Sequence, residues 1–188
     1  FEAVSRHLPD ATLFVHAQTE LDKLPPEVVN IVNNNPRITY HVETVPAPGL
    51  YHKGSILVFP SKLEGLGLPL LEGMACGLPA ITTDAPPMNE FVKDGYNGLL
   101  VKVANRLTRH DNIAFPEEIV DIADLTFKMD YLIKNPELVC KMQENARNSI
   151  HNYNTFGKKV NEIIFPSSKL PISRNNKLRN REFLTYCK

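Results

Sequence analysis

The feature that most constrains the fold is a short apolar run that leads directly into a loop and a helix. Residues 55–59 read Ser-Ile-Leu-Val-Phe, the pattern of a strand buried on both faces. A loop with two glycines follows, and Pro69 suits the first turn of a helix predicted over 70–76. Gly77 is typical of a helix C-terminus, and a second strand is predicted at 79–83. This order of strand, helix and strand indicates a parallel sheet covered by helices.

The same alternation runs through most of the chain. Further strands are predicted at 11–17, 37–42 and 99–103, a helix at 24–33 and a helical turn at 89–93. The last third is predicted to be helical, over 117–133 and again from Pro136 to residue 164. The expected fold class is therefore α/β, with a parallel sheet between helices. We expect one domain over 1–165 and a basic C-terminal extension over 166–188.

Composition excludes several classes of protein. The 188 residues carry 21 basic and 21 acidic side chains, and zero net charge argues against a nucleic-acid binder. No apolar run approaches the ~20 residues that cross a bilayer, and the first residues lack the pattern of a secretory signal. The three cysteines show no Cys-x-x-Cys spacing and indicate free thiols in a reducing compartment. A cytoplasmic protein is expected.

The extension over 166–188 carries the strongest local charge. It holds six basic residues and one acidic residue, and it shows no periodicity. Two interpretations remain open for it. It is a solvated tail, or it contacts a further domain or an anionic membrane surface, which would make the protein peripheral at a membrane.

The loop between 59 and 70 is the predicted binding segment. Ligands of parallel sheets bind beyond the carboxyl ends of the strands, and the amides of a helix N-terminus attract anions such as phosphate. Glu72 is expected in the first helical turn, where it can reach back to the loop and accept hydrogen bonds from sugar hydroxyls. Glu64 lies on the loop close to the same opening. Together they suggest a polyol attached to a phosphate.

The same residues also allow a purely structural interpretation. A glutamate in a first turn is favourable for the helix dipole alone, and Glu64 could be an ordinary surface residue. Gly65 and Gly67 could serve turn geometry, and they do not complete a Gly-x-Gly-x-x-Gly motif because Leu70 occupies the third position. Without further information, the binding and structural interpretations are equally supported.

A family resemblance favours the binding interpretation. Glu64 and Glu72 match the E-x7-E motif of the retaining GT-B glycosyltransferases of family 4. Other segments resemble that family in the same order and spacing. They are Pro60-Ser61, the run from Glu64 to Pro69, Leu71-Glu72, the run from Met74 to Pro79, Thr83-Asp84, Glu90, and Asp94-Gly95-x-Asn97-Gly98-Leu99-Leu100. The similarity extends from about residue 13 to residue 164.

The resemblance implies a fold and a role. The chain is similar to the C-terminal, donor-binding half of a GT-B fold, which is a Rossmann-like domain. By that resemblance Glu64 is the catalytic residue that faces the transferred sugar, and Glu72 binds the ribose of a nucleotide-diphosphate sugar. The same resemblance places Gly65, Leu66, Gly67, Leu68 and Glu90 at the donor. The sequence contains no DxD motif, so no metal is expected. The resemblance implies a GDP- or UDP-linked sugar as co-substrate and no other cofactor.

The resemblance also implies partners and leaves alternatives. The implied reaction is glycosyl transfer, with retention of configuration, to a hydroxyl of a glycan, a lipid or another acceptor. The family's N-terminal acceptor domain is absent, as is the upstream basic pair that neutralises the diphosphate, so we expect weak or no turnover from this chain alone. One alternative is a non-catalytic nucleotide-sugar-binding or partner subunit. Another is a different GT-B enzyme, such as a sugar-nucleotide epimerase.

Three segments depart from the family pattern. His16-Ala17-Gln18 stands where the family often has a glycine-rich loop. Ala85-Pro86-Pro87-Met88 stands where a Gly-Gly pair commonly precedes the glutamate at position 90. Residues 105–118, with Arg106, Arg109 and His110, are longer than usual and are predicted to form a surface insertion. The residues do not distinguish among sugars, bases or acceptors.

Overall fold

The computed structural model describes the backbone of residues 1–46, 49–109 and 115–164, with side chains as far as residue 150. The chain forms two compact units, Phe1–Ile150 and His151–Lys188. The sheets and cores below belong to the first unit. His110 and the predicted extension over 166–188 lie outside the described residues.

Helices and strands alternate along the first unit, as the sequence predicts. The helices are α1 (Glu2–Ser5), α2 (Pro26–Asn34), α3 (Leu68–Ala75), α4 (Met88–Phe91), α5 (Ile122–Lys134) and α6 (Pro136–Ile164). The strands are β1 (Leu13–Ala17), β2 (Ile38–Val42), β3 (Leu57–Phe59), β4 (Ala80–Thr83), β5 (Gly98–Val101), β6 (Val103–Thr108) and β7 (Pro116–Val120). Short 3-10 helices lie at Leu21–Lys23 and Tyr51–Lys53.

The first five strands pair in parallel, which confirms the predicted α/β class. β1 pairs with β2, with Leu13 opposite Ile38. β4 is the central strand of a three-stranded sheet in the order β3-β4-β5. Its parallel pairing places the carboxyl ends of β3 and β4 at one edge, with Phe59 opposite Thr82. Ligand-binding segments are expected at such an edge.

The segment from 103 to 120 differs from the prediction. β6 and β7 form an antiparallel pair, so the helix predicted from Glu117 is wrong over its first residues. Helix α5 begins only at Ile122, after Asp121, whose carboxylate accepts hydrogen bonds from the N–H groups of Ala123 and Asp124 at 2.8 and 3.0 Å. Residues 116–120 form a strand because their backbone pairs with β6. This pairing outweighs their local helical preference.

Strand β4 is buried on both faces, and each face belongs to a different core. One core lies against α1, α5 and α6, and the other lies against α3, α4 and α6. The first contains Val4, Ile81, Leu99, Val101, Val120, Met129, Leu132, Val139 and Met142. The second contains Leu70, Met74, Ala80, Ala85, Met88, Val92 and Ala146. Neighbouring residues of β4 enter opposite cores because side chains alternate along a strand.

Candidate functional site

Helix α3 opens with a glycine in the left-handed conformation. Gly67 has φ 65° and is the N-cap of the helix, and its carbonyl accepts hydrogen bonds from the N–H groups of Leu70 and Leu71 at 2.9 and 3.3 Å. Glycine adopts this conformation without steric cost. In the part of the chain that the structure describes, the N–H groups of residues 65–68 donate no hydrogen bond. These amides are therefore available to an anionic ligand at the helix N-terminus.

The side chain of Glu64 is held by a neighbouring hydroxyl. Ser61 donates a hydrogen bond to Glu64 Oε1 at 2.7 Å. The carbonyl of Ser61 accepts in turn from the Thr83 hydroxyl at 2.6 Å, which ties the loop to the end of β4. The half-buried Glu64 carboxylate is thus fixed to the edge where β3 and β4 end.

The hairpin of β6 and β7 supports the same loop. The N–H of Glu118 donates to the Lys62 carbonyl at 2.8 Å, and Lys62 Nζ lies 3.4 Å from a carboxylate oxygen of Glu117. The buried Glu118 carboxylate pairs with Arg106 at 2.9 Å. The segment predicted as a surface insertion therefore has exposed side chains along β6 but is bonded to the loop that carries Glu64.

Glu72 does not lie in the first helical turn, and that prediction is wrong. Helix α3 begins at Leu68 rather than at residue 70, because Gly67 caps it two residues earlier than the sequence pattern suggests. Glu72 is the fifth residue of the helix, one turn beyond the free amides. Its exposed carboxylate accepts a hydrogen bond at Oε2 from the hydroxyl of Tyr51, at 2.9 Å.

Tyr51 is the functional candidate that the sequence analysis missed. Burial of its ring and the hydrogen bond to the Glu72 carboxylate raise the pKa of the Tyr51 hydroxyl far above its ordinary value of 10. Tyr51 therefore remains a hydrogen-bond donor throughout the physiological pH range. No sequence pattern relates it to Glu72, because the two residues are 21 positions apart, one on the 3-10 helix Tyr51–Lys53 and the other on α3.

Glu90 lies on the short helix α4, which follows β4, and its side chain is exposed. The loop between β4 and α4 is fixed by a hydrogen bond of 3.0 Å from the Asn89 amide to Asp84. Because β3 and β4 end at the same edge, the segments that carry Glu64 and Glu90 follow neighbouring strand ends. Among the residues that the structure describes, Glu64 and Glu72 share no hydrogen-bond partner, so each carboxylate is oriented separately.

Cys76 is the C-cap of α3, at the end of the helix away from the loop that carries Glu64. Its pKa is raised by burial and by the Glu72 carboxylate, against a smaller opposing effect of Arg147. It is therefore a poor nucleophile at neutral pH, since the thiolate is the reactive form.

Among the described residues, no group of three or more His, Cys, Asp and Glu side chains could hold a metal ion. None of the described helices is long and apolar enough to cross a bilayer.

These contacts define what the site can bind. The free amides of the loop suit phosphate oxygens, and they offer charge stabilisation that does not depend on a mobile side chain. The two carboxylates each keep one oxygen without a protein donor in the described residues, Oε2 of Glu64 and Oε1 of Glu72. A carboxylate oxygen accepts hydrogen bonds from hydroxyl groups. The amide donors and the carboxylate acceptors all lie within one segment of fourteen residues, 59–72.

The fold is that of a glycosyltransferase domain. The chain belongs to the family described as Glycosyl transferases group 1, whose model matches residues 32–149. That match contains β3, α3 and all the site residues above, and it confirms the resemblance at the level of this family.

Individual relatives agree with this assignment. An uncharacterized glycosyltransferase of Methanocaldococcus jannaschii is 40% identical over 95 residues, which are 50% of this chain and 22% of that protein. The chain thus matches less than a quarter of the length of this relative.

Two solved structures are similar in fold. The C-terminal domain of the group 1 protein LpcC of Francisella tularensis has a TM-score of 0.63 at 24% identity, covering 80% of this chain and 73% of that domain. The pneumococcal O-GlcNAc transferase GtfA, solved with UDP and GlcNAc, has a TM-score of 0.63 at 22% identity, covering 87% of this chain and 31% of GtfA. These neighbours confirm the Rossmann-like half of a GT-B fold.

Proposed function

We propose that this chain is the donor-binding domain of a retaining glycosyltransferase of family 4, which transfers a sugar from a nucleotide-diphosphate sugar to an acceptor hydroxyl. One observation carries the proposal. Two carboxylates, Glu64 and Glu72, are each oriented by a hydroxyl donor, and a helix N-terminus with free amides lies between them in the chain. This combination suits a ligand that is both a polyol and a diphosphate.

Each part of the donor has a matching group in the proposal. The amides of residues 65–68 bind diphosphate and sugar oxygens. Glu72 accepts hydrogen bonds from the ribose, and Glu64 accepts one from the transferred sugar. Glu90, on the neighbouring strand end, contacts the donor from α4. UDP in the GtfA structure, a neighbour in fold, supports a nucleoside diphosphate as the ligand class.

The chemistry asked of this chain is electrostatic. Departure of the diphosphate develops negative charge, which fixed amide dipoles stabilise in a site closed to water. Glu64 orients the sugar and is not required to attack it. The acceptor, a glycan, a lipid or another hydroxyl compound, would be bound by an N-terminal domain, and the reaction would take place in the cytoplasm. Under this proposal, the donor is the co-substrate and no other cofactor or metal takes part.

A non-catalytic partner subunit that binds the same donor is the second candidate. One structural neighbour is a complex of two proteins, GtfA and GtfB, with a TM-score of 0.62 and 23% identity to this chain. Such a subunit would bind the nucleotide as tightly as an enzyme does. Mixing the chain with a separate acceptor domain and measuring transfer distinguishes the two roles.

Binding of nucleoside diphosphates tests the donor site directly. In a calorimetric titration with UDP and with GDP, we expect saturable binding of one of them. E72A should weaken it about 10- to 100-fold, because a hydrogen bond to a charged group contributes about 1.5–3 kcal/mol.

E144A is the matched control, since Glu144 is an exposed glutamate on α6. It should bind like the wild type. The 2′-deoxy form of the preferred nucleotide should bind the wild type more weakly and lose less affinity than the ribose form in E72A. Equal affinity of E72A and wild type, or a folded chain that binds neither nucleotide, would contradict the proposal.

A further inference from the structure

We propose that Tyr51 is the positioning residue of Glu72, and that its hydroxyl fixes this carboxylate in the orientation in which it meets the ribose. The inference deepens the proposed function and rests on it. Its central observation is the hydrogen bond of 2.9 Å from the Tyr51 hydroxyl to Glu72 Oε2.

The position of Glu72 explains why it needs such a partner. Because it lies one turn inside α3, the free amides of the helix N-terminus are not its hydrogen-bond donors. Its side chain is exposed, and a free glutamate samples several rotamers that must be ordered when a ligand binds. A donor that holds one carboxylate oxygen beforehand removes part of that entropic cost.

The tyrosine ring is itself held between two glycines. A Cβ atom placed on Gly73 of α3 would lie 3.4 Å from Tyr51 Cε1, and one placed on Gly49 would lie 3.5 Å from Tyr51 Cε2. The ring therefore packs directly against the helix backbone beside Glu72. Gly73 also packs closely against β3, since a Cβ atom placed on it would lie 2.7 Å from Leu57 Cδ2. This packing leaves the hydroxyl pointing at a single acceptor.

The two oxygens of the Glu72 carboxylate differ in their hydrogen-bond partners. Oε2 is engaged by Tyr51, and Oε1 has no protein donor among the described residues. An ionised carboxylate offers about four lone-pair sites, so one contact to a phenol leaves room for a pair of vicinal hydroxyls. Burial of Tyr51 and its hydrogen bond to Glu72 raise the pKa of its hydroxyl, which therefore stays protonated and able to donate at ordinary pH.

Removing only the hydroxyl tests the positioning role. Y51F keeps the ring packed between the glycines, so the fold is retained. We expect it to weaken binding of the preferred nucleoside diphosphate about tenfold, the effect of one hydrogen bond to a charged group. Y131F is the matched control, because Tyr131 is an exposed tyrosine on α5 whose hydroxyl has no protein partner in the described residues. It should bind like the wild type.

A double-mutant cycle separates positioning from a general structural effect. In the E72A background, Y51F should cause no further loss of affinity, since the group it orients is gone. An equal loss in both backgrounds would assign Tyr51 to the structure of the loop and overturn the proposal. Affinity of Y51F within twofold of wild type would also overturn it.

A measurement without ligand keeps this result independent of the proposed function. In carbon-13 NMR of side-chain carboxyls, the Glu72 resonance, assigned through its loss in E72Q, should move in Y51F and stay unchanged in Y131F. An unmoved resonance in Y51F overturns the contact. A folded wild-type chain that binds neither UDP nor GDP would instead overturn the donor site, while the NMR result would still decide the role of Tyr51.

Discussion

At the scale of single residues, Gly98, the first residue of β5, has the least room for a side chain among the described glycines. A Cβ atom there would lie 2.2 Å from the carbonyl oxygen of Ala80 and 2.9 Å from Val92 Cγ1. The nearest atom belongs to the backbone of the central strand, which cannot move aside as a flexible side chain would. Position 98 therefore accepts only glycine if β4 and β5 are to keep their register.

We expect G98A to destabilise the protein by about 2–4 kcal/mol, because the added methyl group forces apart two hydrogen-bonded strands. Urea unfolding followed by circular dichroism measures the change. G54A is the control, since Gly54 has φ −127° and its Cβ would lie 3.6 Å from the nearest atom. It should be neutral or slightly stabilising. A G98A midpoint equal to that of G54A would contradict the packing argument.

The positions of individual residues could be predicted from the sequence where the local backbone conformation determines them. Gly77, foreseen as a helix end, has φ 86° and donates to the Met74 carbonyl at 2.9 Å. Glu64 was expected on the loop and lies there. The sequence predicts Glu72 in the first helical turn, but Gly67 caps α3 two residues earlier than expected, so Glu72 is the fifth residue of the helix. Tyr51 was not foreseen because a contact across 21 positions leaves no local pattern.

At the scale of elements, the sequence predicted the parallel strands well and the hairpin of β6 and β7 poorly. A continuous apolar run such as β3 carries its own signal, although its three residues are only half-buried in the structure and the strand buried on both faces is β4. The exposed residues of β6 carry none, and Glu117 resembles the acidic first turn of a helix. The start of α5 is set instead by Asp121, whose carboxylate binds two N–H groups of the first turn.

The cap at Asp121 can be tested separately from the helix. D121A should lower the free energy of unfolding by about 1 kcal/mol, the usual value of an N-cap side chain. D121N should lose much less, because asparagine is an equally good cap. Thermal unfolding of the three proteins at one pH measures both differences. Equal midpoints for D121A and D121N would show that the charge, rather than the cap hydrogen bonds, stabilises α5.

At the scale of the whole molecule, acid stability depends on a carboxylate that joins α5 to the central sheet. Burial alone would raise the pKa of Asp124, but hydrogen bonds from the Lys102 N–H at 2.8 Å and the Lys128 ammonium at 2.9 Å outweigh it. The net effect lowers the pKa below its ordinary value of 3.8. The Asp124–Lys128 ion pair lies within α5, and Lys128 also donates to the Leu100 carbonyl in β5, which connects the helix to the sheet.

The sign of the pH dependence follows from that lowered pKa. The ionised form stabilises the folded state fully above the unfolded-state pKa of about 3.9, and its contribution is lost as the pH falls through the lower folded value. D124N should therefore be less stable than wild type by about 1–3 kcal/mol at pH 7. The difference should shrink below about pH 4, as wild-type Asp124 becomes protonated. K128M should reduce the pH dependence in the same range.

Urea unfolding of wild type, D124N and K128M between pH 3 and pH 7 measures these differences. A wild-type to D124N difference that stays constant down to pH 3 would contradict the role assigned to Asp124. K128M serves as the second variant, because it keeps the carboxylate and removes one of its two donors.

Helix α6 has a consequence for biosynthesis. Val139 and Met142 complete one core, and Ala146 completes the other, so both faces of β4 are closed by the same late helix. A ribosome delivers the chain from its N-terminus, and everything from β1 to α5 emerges before this helix does. The first core cannot be completed until Met142 has left the exit tunnel, and the second cannot be completed until Ala146 has left it. The nascent domain therefore exposes apolar surface through most of its synthesis, and both of its cores are completed late.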